Sequence, residues 1–337
     1  MIGFRVDANE KIASGHVMRC LSIADALVSF HEKVVFIISD ISAEEMIAER
    51  GHECVCLRND WNNKEGELEV LIGLIRKYHL TLLLIDSYQV TEFYLRSLHS
   101  VVKLAYIDDL NTFDYPVDMV INYSVYADRE KYPSNSTSVP KKYLLGPKYA
   151  PLRQQFILSE SELQKAIQER ERVKQIFITT GASDPYHVAE LAVRSILEEP
   201  SLREYRIIVV KGRYGDSFSH YANERVVVHE NVANMAELML KSTMAVSAGG
   251  STLYELCACC VPTVVFTYAD NQLENANTFS KKGIMKYSGD AREEKALGKN
   301  VVRQLLEYST SDHTMLYSKM KELDCGNGAK RLAEELL

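Results

Sequence analysis

The chain has 337 residues, of which 46% are hydrophobic and 25% charged, with a formal net charge of −7 at pH 7. These values are ordinary for a globular protein, and they exclude the basic excess of a general nucleic-acid binder. The length exceeds that of one typical hydrophobic core and predicts two domains of roughly 150 residues each.

Strand and helix patterns alternate through the first half. Continuous Val, Ile and Leu runs predict strands, and apolar residues at helical spacing predict helices. In chain order these are a strand over residues 2–6, a helix over 16–30, a strand over 33–39, a helix over 43–50, a strand over 54–57, a helix over 66–78, a strand over 81–85, a helix over 91–98, and strands over 101–107 and 119–121. This alternation is typical of a parallel sheet with helices on both faces.

Residues 123–153 interrupt the alternation and predict a long connection. Four prolines are spread among its polar residues, namely Pro133, Pro140, Pro147 and Pro151. We therefore expect an N-terminal domain over residues 1–150 and a C-terminal domain over residues 151–337.

The alternation then resumes. The predicted elements are a helix over 160–173, a strand over 175–179, a helix over 188–197, strands over 206–210, 226–229 and 244–246, a helix over 253–260, a strand over 262–266, a helix over 272–281, and a helical tail over 293–337 that is broken near 326–328. The last helix can pack back on the N-terminal domain. The expected fold class is α/β, with two Rossmann-like, doubly wound parallel-sheet domains and a cleft between them.

The N-terminus and the cysteines favour a cytoplasmic protein. Charged residues interrupt the segment where a signal peptide would be apolar, at Arg5, Asp7, Glu10 and Lys11. No apolar run reaches the ~18 residues of a membrane-spanning helix. The seven cysteines are scattered, lack zinc-ligand spacing and are typical of reduced, buried thiols.

A glycine-rich turn after the predicted strand over 244–246 is suited to an anion. Gly249 and Gly250 allow a close backbone approach, and the helix that follows, which Ser251 or Thr252 can cap, presents N–H groups to a diphosphate. Glu255 lies one turn further along and can accept ribose hydroxyls. The turn has neither the lysine of a P-loop nor a GxGxxG pattern, and a purely structural turn is the alternative.

The loop after the first strand predicts a catalytic base. Ser14 and Gly15 place His16 at a helix start, where the helix dipole disfavours the imidazolium and leaves a neutral ring that can take a proton. Asp7 is expected to orient this ring, and Arg19 to hold an anion or the Asp7 carboxylate. Alternatively, His16 only caps its helix and Arg19 pairs with Asp7 structurally.

Other polar residues also follow predicted strands. Asp86 and Tyr88 can form hydrogen bonds with a sugar. Asp184 lies among small residues that allow close approach, although capping of the next helix explains it equally well. Asn271 and Gln272 can reach sugar hydroxyls or phosphate, with helix capping as the alternative for Asn271.

The chain shows no convincing metal site and no hydrolase triad. Asp108 and Asp109 are adjacent, so their carboxylates point to opposite sides of an extended chain and predict a structural turn. No G-x-S-x-G occurs.

Together these motifs resemble the PseG family of the GT-B superfamily. The resemblance covers nearly the whole chain and rests on residues 5–7, 15–20, 107–110, 145–153 and 247–256. GT-B proteins hold a UDP-sugar between two Rossmann-like domains. The PseG family is related to MurG-type glycosyltransferases and hydrolyses UDP-2,4-diacetamido-2,4,6-trideoxy-β-L-altropyranose in pseudaminic acid biosynthesis. The resemblance implies inverting C–O cleavage at the anomeric carbon, without metal or cofactor, that releases UDP and the free sugar.

The resemblance also implies residue roles. His16 would activate water, residues 249–252 would hold the diphosphate, Glu255 the ribose, and Asn271 and Gln272 would face the sugar or phosphates. Two positions depart from the family's pattern, because Ala13 replaces the first glycine of Gly-x-Gly-His and residues 181–184 read Gly-Ala-Ser-Asp instead of Gly-Gly-[Thr/Ala]-Asp. Each swap adds a methyl group near a ligand loop, so the identity of the sugar stays open.

Two other functions remain open. One is an inverting GT-B glycosyltransferase with a UDP-sugar donor, and the other is a non-catalytic nucleotide-sugar binding module. The first half lacks the exposed apolar or basic strip of a MurG-type acceptor domain, which favours hydrolysis, and His16 in a ligand loop argues against a binding module. The expected partners are a UDP-linked amino sugar and water, with no nucleic acid and no membrane insertion. A monomer is the working expectation.

Overall fold

The computed structural model describes residues 1–9, 12, 14–132, 142–212 and 223–337. Five residues named above lie outside these ranges: Glu10, Lys11, Ala13, Pro133 and Pro140. Contacts divide the described chain into two compact units. Unit 1 comprises Met1–Arg153 and Asn327–Leu337, and unit 2 comprises Gln154–Gly326.

Unit 1 is built on a seven-stranded parallel sheet. Its strands are β1 (Ile2–Val6), β2 (Val34–Ile38), β3 (Glu53–Cys56), β4 (Leu82–Asp86), β5 (Lys103–Ile107), β6 (Met119–Asn122) and β7 (Lys142–Leu145). They pair in the order β3-β2-β1-β4-β5-β6-β7, with every pair parallel. Its helices are α1 (Gly15–Ser29), α2 (Glu44–Glu49), α3 (Leu68–Lys77), α4 (Glu92–His99) and, from the end of the chain, α12 (Gly328–Leu336).

Unit 2 repeats this design with six parallel strands. These are β8 (Gln175–Thr179), β9 (Arg206–Lys211), β10 (Val226–Glu230), β11 (Met244–Ala248), β12 (Thr263–Thr267) and β13 (Lys286–Asp290). Their order is β10-β9-β8-β11-β12-β13. The helices are α5 (Glu160–Val173), α6 (Val188–Glu198), α7 (Met235–Leu240), α8 (Thr252–Ala258), α9 (Asp270–Lys281), α10 (Leu297–Ser309) and α11 (Thr314–Glu322).

The predicted α/β class with two doubly wound parallel sheets is confirmed. The central strands β1, β2 and β4 of unit 1, and β8, β11 and β12 of unit 2, are buried at every residue. Helices cover both faces of such a sheet, which explains the unbroken apolar runs. In each sheet the strand order reverses beside the first strand of the unit, so the carboxyl ends of β1 and β4, and of β8 and β11, flank the topological switch points.

The final helix belongs to unit 1. Helix α12 packs against α1, and its first residue meets the segment that follows β7. A β-carbon on Gly328 would lie 2.0 Å from the carbonyl oxygen of Ala150. Only glycine permits this approach of two backbones.

Two edge strands were missed by the sequence patterns. Strand β7 has four residues, lies in the proline-containing segment, and buries only Leu144. Strand β13 reads Lys-Tyr-Ser-Gly-Asp and contains no apolar run. Its pairing with β12 shifts register after Val265, and Gly289 takes a φ of 128°. Edge strands pack less apolar surface and often carry charges or bulges, so hydrophobic patterns find them poorly.

Candidate functional site

His16 lies in the first turn of α1, directly after the loop that follows β1. Its Nδ1 is 2.5 Å from Oδ1 of Asp86, the last residue of β4. Burial raises the pKa of Asp86, but Arg19 and His16 outweigh burial and hold that pKa well below the usual range. An ionised carboxylate can only accept a hydrogen bond, so the contact at 2.5 Å assigns a proton to His16 Nδ1. In a neutral imidazole that is protonated at Nδ1, Nε2 carries the lone pair that can take a proton.

Arg19 fixes the Asp86 carboxylate from the same helix. Its Nε donates to Asp86 Oδ2 at 2.6 Å and its Nη2 to Oδ1 at 2.5 Å, a bidentate pair. Its Nη1 donates to the Tyr123 hydroxyl at 2.9 Å and lies 2.9 Å from Asp109 Oδ2. Burial lowers the pKa of Arg19, but Asp109 and Asp86 outweigh burial and raise it, so Arg19 stays charged. Its nitrogens contact partners within unit 1, which gives Arg19 a positioning role at Asp86. Its expected contact with an anion stays a prediction.

Tyr88 packs against the His16 ring. The two ring centroids are 4.7 Å apart in an edge-on arrangement. The Tyr88 hydroxyl donates to Asp109 Oδ2 at 2.8 Å. Burial and the nearby Asp109 carboxylate raise the pKa of Tyr88, so the hydroxyl keeps its proton as a donor.

The expected role of Asp7 is wrong. Asp7 does not hold the His16 ring or Arg19, because Asp86 does. Asp7 is 4% exposed, and its carboxylate accepts from Arg5 at 2.8 Å, Lys64 at 2.6 Å and the backbone N–H of Ser39 at 2.7 Å. Arg5 also donates to both oxygens of Glu67. Two cations and two carboxylates thus form a buried, neutral cluster. Asp7 is unsuited to substrate contact, and two of its partners, Ser39 and Lys64, lie too far along the sequence to be identified from a motif.

Replacing Lys64 with Met is expected to lower the free energy of unfolding by about 3–5 kcal/mol, because it leaves the buried Asp7 carboxylate short of one cation. Equilibrium unfolding in urea measures the change, with exposed Lys33→Met as the matched control. Burial raises the pKa of Asp7, but Arg5 and Lys64 outweigh burial and lower it to about 2.

The pH dependence provides a second test of this cluster. Because an unfolded aspartate titrates near about 3.9, the contribution of Asp7 to stability is fully present above that pH and lost as the pH falls towards 2. The acid-sensitive contribution should shrink in the Lys64→Met variant. Equal stability of the Lys64 and Lys33 variants would rule out the cluster as described.

In unit 2, Gly249 has a packing role. Its N–H donates to Phe266 O at 2.9 Å, and its carbonyl accepts from the Asn275 amide at 3.1 Å. A β-carbon here would lie 3.0 Å from the backbone oxygen of Gln272 and 3.2 Å from Thr267 Cγ2. The N–H of Gly249 is therefore used within the protein, contrary to its expected role in holding a diphosphate.

The rest of the turn is open. A β-carbon on Gly250 would meet nothing within 4 Å. Ser251 is the N-cap residue of α8, but its side chain makes no capping bond. The first helical hydrogen bond runs from Leu253 N to Gly250 O at 3.2 Å, so the N–H groups of residues 250–252 are those that a helix start presents to an anion. Glu255 follows on α8 and is half-buried.

Of the other predicted residues of unit 2, Asp184 and Gln272 are bonded within the unit and Asn271 is exposed. Asp184 accepts from the N–H groups of Val188 at 2.8 Å and Ala189 at 2.9 Å. Its carboxylate therefore satisfies the first N–H groups of α6, as the helix-capping alternative predicts. Gln272 is buried, and its Oε1 accepts from Tyr268 N at 3.0 Å. Asn271 is exposed in the first turn of α9, where Ala269 is the N-cap residue, so Asn271 is not the cap.

The sequence patterns assign no functional role to Asp109, Tyr123 or Gly212, and they interpret Asp109 as part of a structural turn. Asp109 and Tyr123 follow β5 and β6, which is the position that identified Asp86 as a candidate. Gly212 follows β9, and a β-carbon there would lie 2.0 Å from Gly181 O. The close approach expected at residues 181–184 therefore includes a neighbouring loop of unit 2. In unit 1, Gly15 is exposed, and a β-carbon there would meet nothing within 4 Å.

Unit 2 also contains a cavity of about 490 Å³ whose lining includes Gln304, Tyr308 and His313. It lies beside α10 and α11 and holds none of the predicted site residues. Across the described ranges, no three His, Cys, Asp or Glu side chains are grouped to hold a metal ion. In the same ranges, no helix has the length and apolarity needed to cross a membrane.

Solved structures share this architecture. The chain aligns with MurG of Acinetobacter baumannii with a TM-score of 0.69 and 11% identity, covering 99% of each chain. It aligns with the spinosyn rhamnosyltransferase SpnG, complexed with thymidine diphosphate, with a TM-score of 0.67 and 11% identity, covering 100% of each chain. These similarities show the fold, which is the GT-B fold of two Rossmann-like parallel-sheet domains.

Sequence relatives are distant. The chain is 25% identical over 293 residues to an uncharacterised protein of Methanocaldococcus jannaschii, covering 83% of this chain and 58% of that protein. It is 22% identical over 297 residues to the spore coat polysaccharide biosynthesis protein SpsG of Bacillus subtilis, covering 84% and 81%. It is 25% identical over 277 residues to a Helicobacter pylori protein named pseudaminic acid cytidylyltransferase and UDP-2,4-diacetamido-2,4,6-trideoxy-β-L-altropyranose hydrolase, covering 81% and 45%. The chain thus spans about half the length of the first and third relatives.

A family model identifies the second half of the chain. Residues 154–336 match the glycosyltransferase family 28 C-terminal domain. This match contains all of unit 2, including the glycine turn at residues 249–252 and Glu255. The chain therefore belongs to the family defined by the glycosyltransferase family 28 C-terminal domain.

Proposed function

We propose that this protein hydrolyses UDP-2,4-diacetamido-2,4,6-trideoxy-β-L-altropyranose or a close UDP-linked amino sugar. The observation that carries the proposal is the contact between His16 Nδ1 and the ionised Asp86, which leaves Nε2 as a base at the carboxyl edge of the unit 1 sheet. The name of the Helicobacter pylori relative, which includes this hydrolase, supports the choice of substrate.

The proposed reaction cleaves the bond between the anomeric carbon and the oxygen of the β-phosphate. His16 Nε2 takes a proton from water as the water oxygen attacks the anomeric carbon from the face opposite UDP. The electron pair of the broken C–O bond leaves with UDP. The products are UDP and the free sugar with inverted anomeric configuration. The scheme uses no metal ion.

The leaving group is assigned to the open part of the glycine turn. We place the diphosphate at the N–H groups of Gly250, Ser251 and Thr252, where the positive end of α8 stabilises the charge that develops on UDP. Glu255 is assigned to the ribose hydroxyls, and the exposed Asn271 to the sugar or phosphates. Gly249 and Gln272 support this turn through the packing described above.

An inverting glycosyltransferase is the second candidate. The family 28 match and the fold similarity to MurG favour it. In unit 1, however, the side chain of His16 is only 12% exposed and Tyr88 packs against its ring. The small exposed fraction of this ring favours water over a bulky acceptor as the group that it deprotonates.

A substrate panel tests the proposal. The protein is incubated with UDP-diacetamido-trideoxy sugars without an acceptor, and the anomeric products are followed by NMR. We expect equal amounts of UDP and free sugar. UDP release that needs an added acceptor would instead show a transferase. Binding of UDP without its release from any sugar, with or without acceptors, would show a binding module.

A further inference from the structure

Two adjacent carboxylates after β5 have different surroundings. Asp108 is completely buried and accepts from the N–H groups of Leu110 at 2.9 Å and Asn111 at 2.8 Å. It also accepts from the hydroxyls of Tyr115 at 2.8 Å and Tyr132 at 2.6 Å. Asp108 therefore shapes the turn, as the sequence predicts for this pair, and all of these bonds lie away from His16.

Asp109 faces the other way, towards the His16 site. Its Oδ2 accepts from the Tyr88 hydroxyl at 2.8 Å and lies 2.9 Å from Arg19 Nη1, and its side chain is 19% exposed. Tyr88 packs edge-on against the His16 ring. Arg19 donates to the Asp86 carboxylate, which in turn contacts His16 Nδ1. Asp109 is thus bonded to both neighbours that limit the orientation of the ring.

We propose that Asp109 is a positioning residue that holds His16 in its reactive orientation through Tyr88 and Arg19. The role in turnover rests on the proposed function, whereas the orientation of the ring does not. A carboxylate suits this place because Arg19 would otherwise have one carboxylate, Asp86, as a partner for its whole charge. The second carboxylate holds the Nη1 edge of the guanidinium, so that its other edge stays aligned with Asp86.

The Tyr88 bond constrains the ring from the opposite direction. In Asp109→Asn a single neutral amide oxygen replaces the carboxylate that faces both Tyr88 and Arg19, so both bonds weaken and the edge-on contact of Tyr88 with His16 loosens. A base that is misplaced by about 1 Å can lose roughly 10²-fold in rate. Because Asp109 touches neither water nor sugar in this scheme, its loss should affect kcat more than KM.

The test compares Asp109→Asn with Asp108→Asn, the same change one residue away. For Asp109→Asn we expect kcat to fall roughly 10-fold to 100-fold with KM nearly unchanged. Asp109→Glu, which restores the charge, should recover part of this loss. Asp108→Asn should lower the melting temperature but leave the kcat of the folded enzyme close to that of the parent.

A readout that needs no turnover separates the positioning claim from the proposed function. Long-range ¹⁵N–¹H NMR of histidine-labelled protein reports which ring nitrogen of His16 carries the proton, with His16→Asn used to assign the signal. We expect the Nδ1–H form to predominate in the parent and in Asp108→Asn, and both tautomers to appear in Asp109→Asn. An unchanged tautomer together with parental kcat in Asp109→Asn would overturn the proposal. A parent protein without hydrolysis would reject the proposed function, while the NMR comparison would still decide the role of Asp109.

Discussion

Replacing His16 with Asn is expected to reduce kcat by roughly 10²–10⁴-fold, the range attributed to a positioned general base. The Asn amide can still donate to Asp86 in place of Nδ1–H, so the local packing should persist, but it has no counterpart of Nε2. The affinity for UDP should stay close to that of the parent, because the proposed UDP contacts lie in unit 2. Steady-state kinetics and calorimetric titration with UDP measure the two effects.

Exposed His31 provides the matched control for this variant. His31 has a φ of 65°, a conformation that Asn tolerates, so His31→Asn changes the same chemistry without strain. It should retain parental kcat. Turnover by His16→Asn at the rate of His31→Asn would remove His16 from the mechanism.

Replacing Glu255 with Ala is expected to weaken UDP binding by about tenfold or more. A hydrogen bond to a charged group contributes about 1.5–3 kcal/mol, and each 1.4 kcal/mol corresponds to about a factor of ten. Exposed Glu198→Ala is the control for the loss of one negative charge in unit 2 and should bind UDP like the parent.

A ligand without ribose hydroxyls makes the test of Glu255 specific. The parent should bind UDP more tightly than 2′,3′-dideoxy-UDP, and Glu255→Ala should bind both with similar affinity. If the variant kept the full preference of the parent for UDP, another residue would hold the ribose.

Central strands could be predicted from the sequence because burial on both faces forces continuous apolar runs. Strands β1, β4 and β11 are examples, since every residue in them is buried. The edge strands β7 and β13 could not, because their stability comes from pairing with one neighbour and their sequences are mixed. The sequence predicts that the last helix can pack back on the N-terminal domain, but no local pattern reveals the close approach of Gly328 to Ala150.

Part of the site could be predicted because functional residues of such sheets follow the carboxyl ends of strands. This rule identified His16, Arg19, Asp86 and Tyr88 as candidates. It did not identify Asp86 as the carboxylate that holds His16, because Asp7 is closer to His16 in sequence. The register provides the answer, since Val6 of β1 pairs with Asp86 of β4 and brings that carboxylate beside the loop leading to α1. Assigning Asp86 to His16 requires the order of the strands in the sheet, which short sequence motifs do not contain.

The glycine turn shows a similar limit. The sequence predicts the same role for Gly249 and Gly250, but a side chain at Gly249 would press tightly against Gln272 at the start of α9, whereas one at Gly250 would extend into open space. The distinction arises from packing of the turn after β11 against the start of α9, and it moves the proposed diphosphate contacts to residues 250–252.

The central claim is that water attacks the anomeric carbon of a UDP-sugar. Hydrolysis in oxygen-18 water, followed by mass spectrometry and time-resolved NMR, tests it directly. The account predicts oxygen-18 on the anomeric hydroxyl of the released sugar, no oxygen-18 in UDP, and the inverted anomer as the first product. Oxygen-18 in the β-phosphate of UDP, or a first product with retained configuration, would contradict it.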